Sequence, residues 1–223
     1  MNKFETSAPI SVVLAIGAGR IQFIAADRAD TTVEVLPADA SKGRDVKAAQ
    51  EIQVGYSGGV LRIEAAQAKS RVLGSSGNVE VTVQLPAGSR VEAKAASAEL
   101  RGVGRLGEVA FEGAQATVKI DEAAGARLAL QSGDVSVGRL GGPAEISTQK
   151  GDITVAEAMR GKLELRTQAG NISVGAARGV SATLDAGTSY GRVDNALKNS
   201  DGAESALNIH ATTAYGDITA RSL

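Results

Sequence analysis

The segment "SGDVSVGRLGG" at residues 132–142 is followed by "KGDITVAEAMRG" at 150–161, "AGNISVGAARG" at 169–179 and "YGDITARSL" at 215–223. A Gly-Asp-Ile-x-Val pattern written this often is a structural repeat, and its reading decides the fold. The central glycines are Gly133, Gly151, Gly170, Gly191 and Gly216, separated by 18, 19, 21 and 25 residues. Apolar residues alternate around them. Ala144, Ile146 and Thr148 precede Gly151, with Ile153 and Val155 after it; Leu163, Leu165 and Thr167 precede Gly170, with Ile172 and Val174 after it. A period of two makes each half a strand with one face inward. The glycine interrupts the alternation and predicts a bend that needs a permissive backbone.

Upstream the spacing continues in weaker form. Val109, Phe111, Val118 and Ile120 fit around Ala116, and Val91, Ala93, Ala95 and Leu100 fit around Ala98, giving seven units from about residue 90. A unit of two short strands cannot bury its inner face alone, whereas stacked copies can. The expectation is an all-β fold, a parallel β-solenoid (a single-stranded β-helix) of ~18–20-residue coils, with like residues above like residues about 4.8 Å apart. Thr148, Thr167, Thr188 and Thr213 then form a ladder, and Tyr190 sits near Tyr215. An antiparallel sandwich is the rival, because two-strand units with glycine turns also suit hairpins. Matched register in successive units favours stacking.

Residues 1–89 read differently. Strands are expected at 9–16, 20–25, 31–36, 51–56, 60–65 and 78–85, with a helical turn or two between Asp45 and Gln53. "SGG" at 57–59 is a tight turn, and 66–77 reads as a long hairpin tip. This part is expected to be a modified, partly antiparallel beginning and cap of the stack. It continues into the repeats at 90–223 as one elongated domain.

With 43% hydrophobic residues the chain can bury a core, and 27 glycines beside only 3% aromatics suit thin, regular layers. A net charge of −1 leaves no electrostatic footprint for nucleic acid. The absence of cysteine excludes disulfides, thiolate catalysis and cysteine-held metals. Ile10, Val12, Leu14 and Ile16 alternate as a half-buried strand does, unlike a signal-peptide core, and no apolar run reaches the ~20 residues of a membrane span. A cytoplasmic protein is therefore expected, with export or a cell-surface location as the alternative.

Several motifs suggest chemistry. Asp134, Asp152 and Asp217, with Asn171 and Arg192 in the same column, could present an oxygen ladder to Ca²⁺. The Gly-Gly-x-Gly part of calcium-binding rolls is absent, and Asp or Asn after a turn glycine bonds local backbone instead. Gly133, Asp134, Gly151, Asp152, Gly170, Asn171, Gly191, Gly216 and Asp217 are therefore read as structural turn positions, with no metal or cofactor. Gly102, Gly104 and Gly107 spell a dinucleotide fingerprint, but a strand follows where a helix is required. Ser147 and Lys150 spell a serine-lysine motif in the same wrong context. Asn171-Ile172-Ser173 is a glycosylation sequon without a secretory route. His210, the only histidine, cannot form a zinc cluster and is expected to face solvent.

Asp185, Arg192 and Asp194 are the nearest thing to a carboxylate-based active site, but the groove walls of glycan-active β-helices are long loops, and the loops here read as short except at 39–50, 66–77 and 196–206. The favoured function is a non-catalytic interaction scaffold; a carbohydrate-binding or carbohydrate-active β-helix is the alternative. Lys69, Arg71, Val72 and Leu73 form a candidate contact loop for a protein partner. The terminal coil at 215–223 is expected to be the open end of the stack, and a weak homodimer through it is a further expectation.

The stretches "ISVVLAIGAGRIQFIAADR" (10–28), "NVEVTVQLPAGSRVEAKAAS" (78–97), the Gly-Asp-Ile repeats and "TTAYGDITARSL" (212–223) resemble the bacterial DUF4097 β-strand-repeat family over nearly the whole chain. The versions from actinobacteria look most similar. The family carries an adhesin label and is related to autotransporter-head repeats. That resemblance implies a β-solenoid and leaves the biochemical function unassigned.

Overall fold

The structure is a computed structural model that describes residues 1–65, 77–198 and 205–223. Among these the chain forms β1 (Asn2–Glu5), β2 (Ser11–Ala26), β3 (Asp30–Pro37), α1 (Gly43–Gln50), β4 (Ile52–Ser57), β5 (Val60–Ala65) and β6 (Asn78–Pro86). The repeat region follows as β7 (Arg90–Ser132), β8 (Val135–Leu140), β9 (Ala144–Lys150), β10 (Ile153–Ala158), β11 (Gly161–Ala169) and β12 (Ile172–Ala176). It closes with β13 (Ala182–Tyr190), β14 (Val193–Ala196), β15 (Leu207–Tyr215) and β16 (Ile218–Ser222). All sixteen belong to one mixed, open sheet. The fold is all-β.

Each repeat contributes one rung, a strand before the bend and a strand after it. Rungs pair in parallel and in register. Leu163 lies beside Ile146's neighbour Ala144, Leu165 beside Ile146, and Thr167 beside Thr148. Beyond the bend Val135, Ile153 and Ile172 line up in the same way. The inward members of these columns are fully buried: Ile146, Ile153, Leu163 and Leu165 are at 0% exposure. One continuous core runs from Ile10 to Ile218. Parallel pairing of whole rungs replaces the antiparallel sandwich. Among the described residues antiparallel pairing is confined to the N-terminal part, in β1–β3, β3–β6 and the β4–β5 hairpin.

The stack does not follow chain order at either end. β2 lies between β5 and β6 on one side and the first stretch of β7 on the other, so the first rung of the chain is an inner one. At the far end β15 lies between β11 and β13, and β16 lies between β12 and β14. The C-terminal rung is thus slid between two rungs that precede it in sequence. This corrects the expected order Gly170, Gly191, Gly216 to Gly170, Gly216, Gly191. It also moves the open edge from 215–223 to β13 and β14. Burial gives the reason. The inserted rung turns Leu207, Ile209, Ala211, Ile218 and Ala220 inward, all at 2% exposure or less, whereas the end rung offers Leu184, Ala186, Val193 and Asn195. The more apolar rung occupies the position with neighbours on both sides, and a polar side chain ends the column.

Two expected strands at 9–16 and 20–25 are one strand, β2, that bends at Gly19 (φ +141°) while its partners bend with it. The helix begins at Gly43, two residues before the expected start. Its Asp45 is buried, and Asp45 Oδ1 accepts the Asn78 N–H at 3.0 Å, fixing α1 to the start of β6. No helix among the described residues is long and apolar enough to cross a membrane.

Candidate functional site

The bends carry the motif that most resembles a site. At Gly151 the backbone has φ +144°, and a β-carbon there would stand 2.2 Å from the Gly133 carbonyl oxygen of the adjacent rung. At Gly170 the corresponding distance to the Gly151 carbonyl oxygen is 2.0 Å, with φ +154°. Only glycine fits where rungs approach this closely and the backbone turns left-handed.

The close approach is bonded on both sides. The Gly151 N–H donates to Ala169 O at 2.9 Å, and the Gly170 N–H donates to Tyr215 O at 2.9 Å. The carbonyls of Gly151, Gly170 and Gly216 each receive a threonine hydroxyl from the next rung. Thr167 Oγ1 donates to Gly151 O, Thr213 Oγ1 to Gly170 O and Thr188 Oγ1 to Gly216 O, each at 3.0 Å. The threonine ladder is a set of backbone clamps.

The acidic column is bonded along its length. Asp152 N–H donates to Asp134 Oδ1 (2.9 Å), Asn171 N–H to Asp152 Oδ1 (2.7 Å), Asp217 N–H to Asn171 Oδ1 (2.9 Å) and Arg192 N–H to Asp217 Oδ1 (2.8 Å). One oxygen of each of Asp134, Asp152, Asn171 and Asp217 therefore caps the next rung's backbone. An asparagine performs the same task as an aspartate, so charge is not required there. Among the described residues no group of three or more His, Cys, Asp or Glu side chains gathers where it could hold a metal ion.

The other candidates are dispersed. Gly102, Gly104 and Gly107 lie inside β7, and no helix follows them. Gly104 (φ +78°) and Gly107 instead sit where a β-carbon would meet the carbonyl oxygens of Ala25 (2.1 Å) and Gly88 (2.5 Å). Ser147 lies within β9, on the rung face opposite Arg166, and Lys150 ends the same strand. His210 is half-buried, and its Nδ1 is 2.9 Å from Asp185 Oδ2 on the next rung. Among the described residues no hydrogen bond or ion pair joins Asp185 to Arg192 or Asp194. The candidate contact loop Lys69, Arg71, Val72 and Leu73 lies outside the described residues.

The outer face of the strands before the bends brings Arg127, Glu145, Glu164, His210 and Asp185 into one column of charged and polar side chains, one per rung, a grouping the sequence repeat does not express. Arg127 pairs with Glu145 at 3.5 Å, and Lys162 pairs with Glu164 at 2.6 Å. The Lys162 ammonium in particular holds the Glu164 carboxyl below its ordinary range. Tyr190 and Tyr215, both largely exposed, stack with ring centroids 5.0 Å apart and planes within 4°. The expected nearness of Tyr190 and Tyr215 is thus seen as a ring stack, whereas the signal for the outer column was the outward parity of each strand, which becomes a column only once the rung order is known.

Fold and bends together define the class: an all-β protein of stacked rungs whose recurrent motif holds the backbone. Residues 12–222 match the family described as Toastrack DUF4097, and the chain belongs to that family. A comparison with curated proteins gives no match. Among solved structures it is similar to a "putative cell adhesion protein" from Clostridium sporogenes, at 12% identity and TM-score 0.42, covering 100% of this chain and 98% of that one. A "putative adhesin" from Bacteroides fragilis is similar at 12% identity and TM-score 0.47, covering 98% and 95% of the two chains. A "putative lipid binding protein" from Parabacteroides distasonis is similar at 8% identity and TM-score 0.34, covering 98% and 95%.

Proposed function

We propose that the chain is a non-catalytic, adhesin-like scaffold, a single-stranded parallel β-solenoid that presents its outer rung faces to a protein partner. The observation that carries this reading is the bonding of the Gly-Asp bends. Oδ1 of Asp134, Asp152 and Asp217 each accepts a backbone N–H of a neighbouring rung, so the repeat is committed to architecture. What varies from rung to rung is the outer face, where Arg127, Glu145, Glu164, His210 and Asp185 replace one another at one position. A rigid frame with a variable face suits recognition by charge pattern.

The test is affinity capture with the immobilised full chain, comparing wild type with a variant carrying Arg127→Glu and Arg166→Glu. A partner held by the first and lost by the second, with unchanged melting of the variant, supports the scaffold. Glycan turnover by the wild-type chain that Asp185→Asn abolishes overturns it. A second reading, carbohydrate binding, is favoured by one observation: Tyr190, stacked on Tyr215, stands largely exposed on the end rung. Glycan-array binding lost in Tyr190→Ala would establish that reading instead.

A further inference from the structure

The slot occupied by residues 205–223 has two walls and one matching occupant. Among the described residues no strand pairing joins β11 to β13 or β12 to β14; on the slot side each wall pairs with the inserted rung, and on their other sides β11 pairs with β9 and β12 with β10. The walls are nevertheless in register with each other through that rung. Leu163, Ile209 and Leu184 form one column, Leu165, Ala211 and Ala186 the next, and Ile172, Ile218 and Val193 a third beyond the bend. The slot therefore accepts one rung of this pattern in one register.

The occupant is held by ladders on both sides and is joined to β14 through a single connection, residues 197–206. That connection, "LKNSDGAESA", is polar, rich in small residues and free of proline. An empty slot would expose the inner faces of Leu163, Leu165 and Ile172, all buried at 1% or less. In this structure the chain's own rung fills it, and the same rung of another molecule would offer the same contacts.

We propose that two copies of this chain exchange their 205–223 rungs, each copy's slot being filled by the other's C-terminal strands. The partner is a second copy because the columns require the threonine, glycine and aspartate of this repeat: Thr213 bonds Gly170 O, and Asp217 bonds both Asn171 Oδ1 and the Arg192 N–H. A connection of ten residues gives the chain's own rung an effective concentration on the order of mM. Self-filling wins in dilute protein, and exchange competes when chains fold at comparable concentration. Once closed, two ladders must open before the rung leaves, so the exchanged dimer persists on dilution.

The test exploits the absence of cysteine. Lys162 and Asn208 face each other across β11 and β15 and are exposed. A Lys162→Cys copy and an Asn208→Cys copy are unfolded together, refolded at about 1 mM, comparable to the effective concentration of the chain's own rung, or at about 1 μM, far below it, and then oxidised. Exchange predicts covalent dimers that join unlike copies at the high concentration, outnumber those joining like copies at least tenfold, and vanish at the low one. The double variant Lys162→Cys/Asn208→Cys, linked within one chain, shows that the slot forms. Absence of unlike-copy dimers while the double variant links internally overturns the proposal. So does an equal yield of like and unlike dimers, which is what random collision gives.

Discussion

At Gly151 a single methyl group decides whether two rungs can approach. Its β-carbon would overlap the Gly133 carbonyl oxygen, and φ there is left-handed, so Gly151→Ala is expected to cost at least about 2 kcal/mol in chemical denaturation. An unchanged midpoint would remove the close approach. The next residue tests a different property. Asp152→Asn keeps the oxygen that Asn171 N–H needs and is expected to be nearly neutral, whereas Asp152→Ala loses it and costs about 1 kcal/mol. Equal loss in both variants would mean that the charge matters. Chelation with EDTA is expected to leave the melting temperature unchanged, since one oxygen of each aspartate is already engaged by backbone; a fall reversed by Ca²⁺ would make the column a metal site. These bends could be read from sequence because turn chemistry is local: glycine and Asp or Asn recur at fixed offsets. Asp45 could not. Its burial comes from the start of β6 crossing the helix, and nothing near it in sequence announces that partner.

At the scale of elements, the same locality explains both success and error. Alternation located β3, β4, β5 and β6 because each shows one face to the core. It split β2 in two because Gly17 and Gly19 look like a loop, while in the sheet Gly19 bends a strand that stays paired on both sides. β1 is a marginal element whose attachment is electrostatic as well as apolar. Lys3 lies 3.1 Å from Asp30 and Arg28 lies 2.7 Å from it, while Phe4 packs on Tyr56. The Arg28 guanidinium, and after it the Lys3 ammonium, pull the Asp30 carboxyl from 3.8 down to about 2. A lowered folded value stabilises at pH above the ordinary one, and the contribution is lost as pH falls from there through about 2. Hydrogen exchange is expected to show β1 amides losing protection across that window while those of β11 keep theirs. Equal retention in both strands would show that the ion pairs do not hold β1.

For the whole molecule, repetition in sequence gave the register of every rung and concealed their order. Exchanging the last two rungs leaves every column matched, because Leu184 and Ile209, or Val193 and Ile218, hold the same positions. The only trace is the long step of 25 residues from Gly191 to Gly216, enough chain to step back one level. What settles the order is a sum over two rungs, the burial of Leu207, Ile209 and Ile218 against that of Leu184, Val193 and Asn195, and no local pattern expresses such a sum. The family likewise gives the frame and leaves the choice of surface to the outer columns. The most direct test of the inserted rung is a pair of double variants of the cysteine-free chain, folded in dilute solution and treated with a short bifunctional thiol reagent. Lys162, Asn208 and Thr183 occupy one outward column in that spatial order. The inserted arrangement predicts efficient linkage in Lys162→Cys/Asn208→Cys and little in Lys162→Cys/Thr183→Cys, whose positions are two rung spacings apart, about 9.6 Å. Efficient linkage in Lys162→Cys/Thr183→Cys, with none in Lys162→Cys/Asn208→Cys, would put the rungs back in chain order and contradict the account.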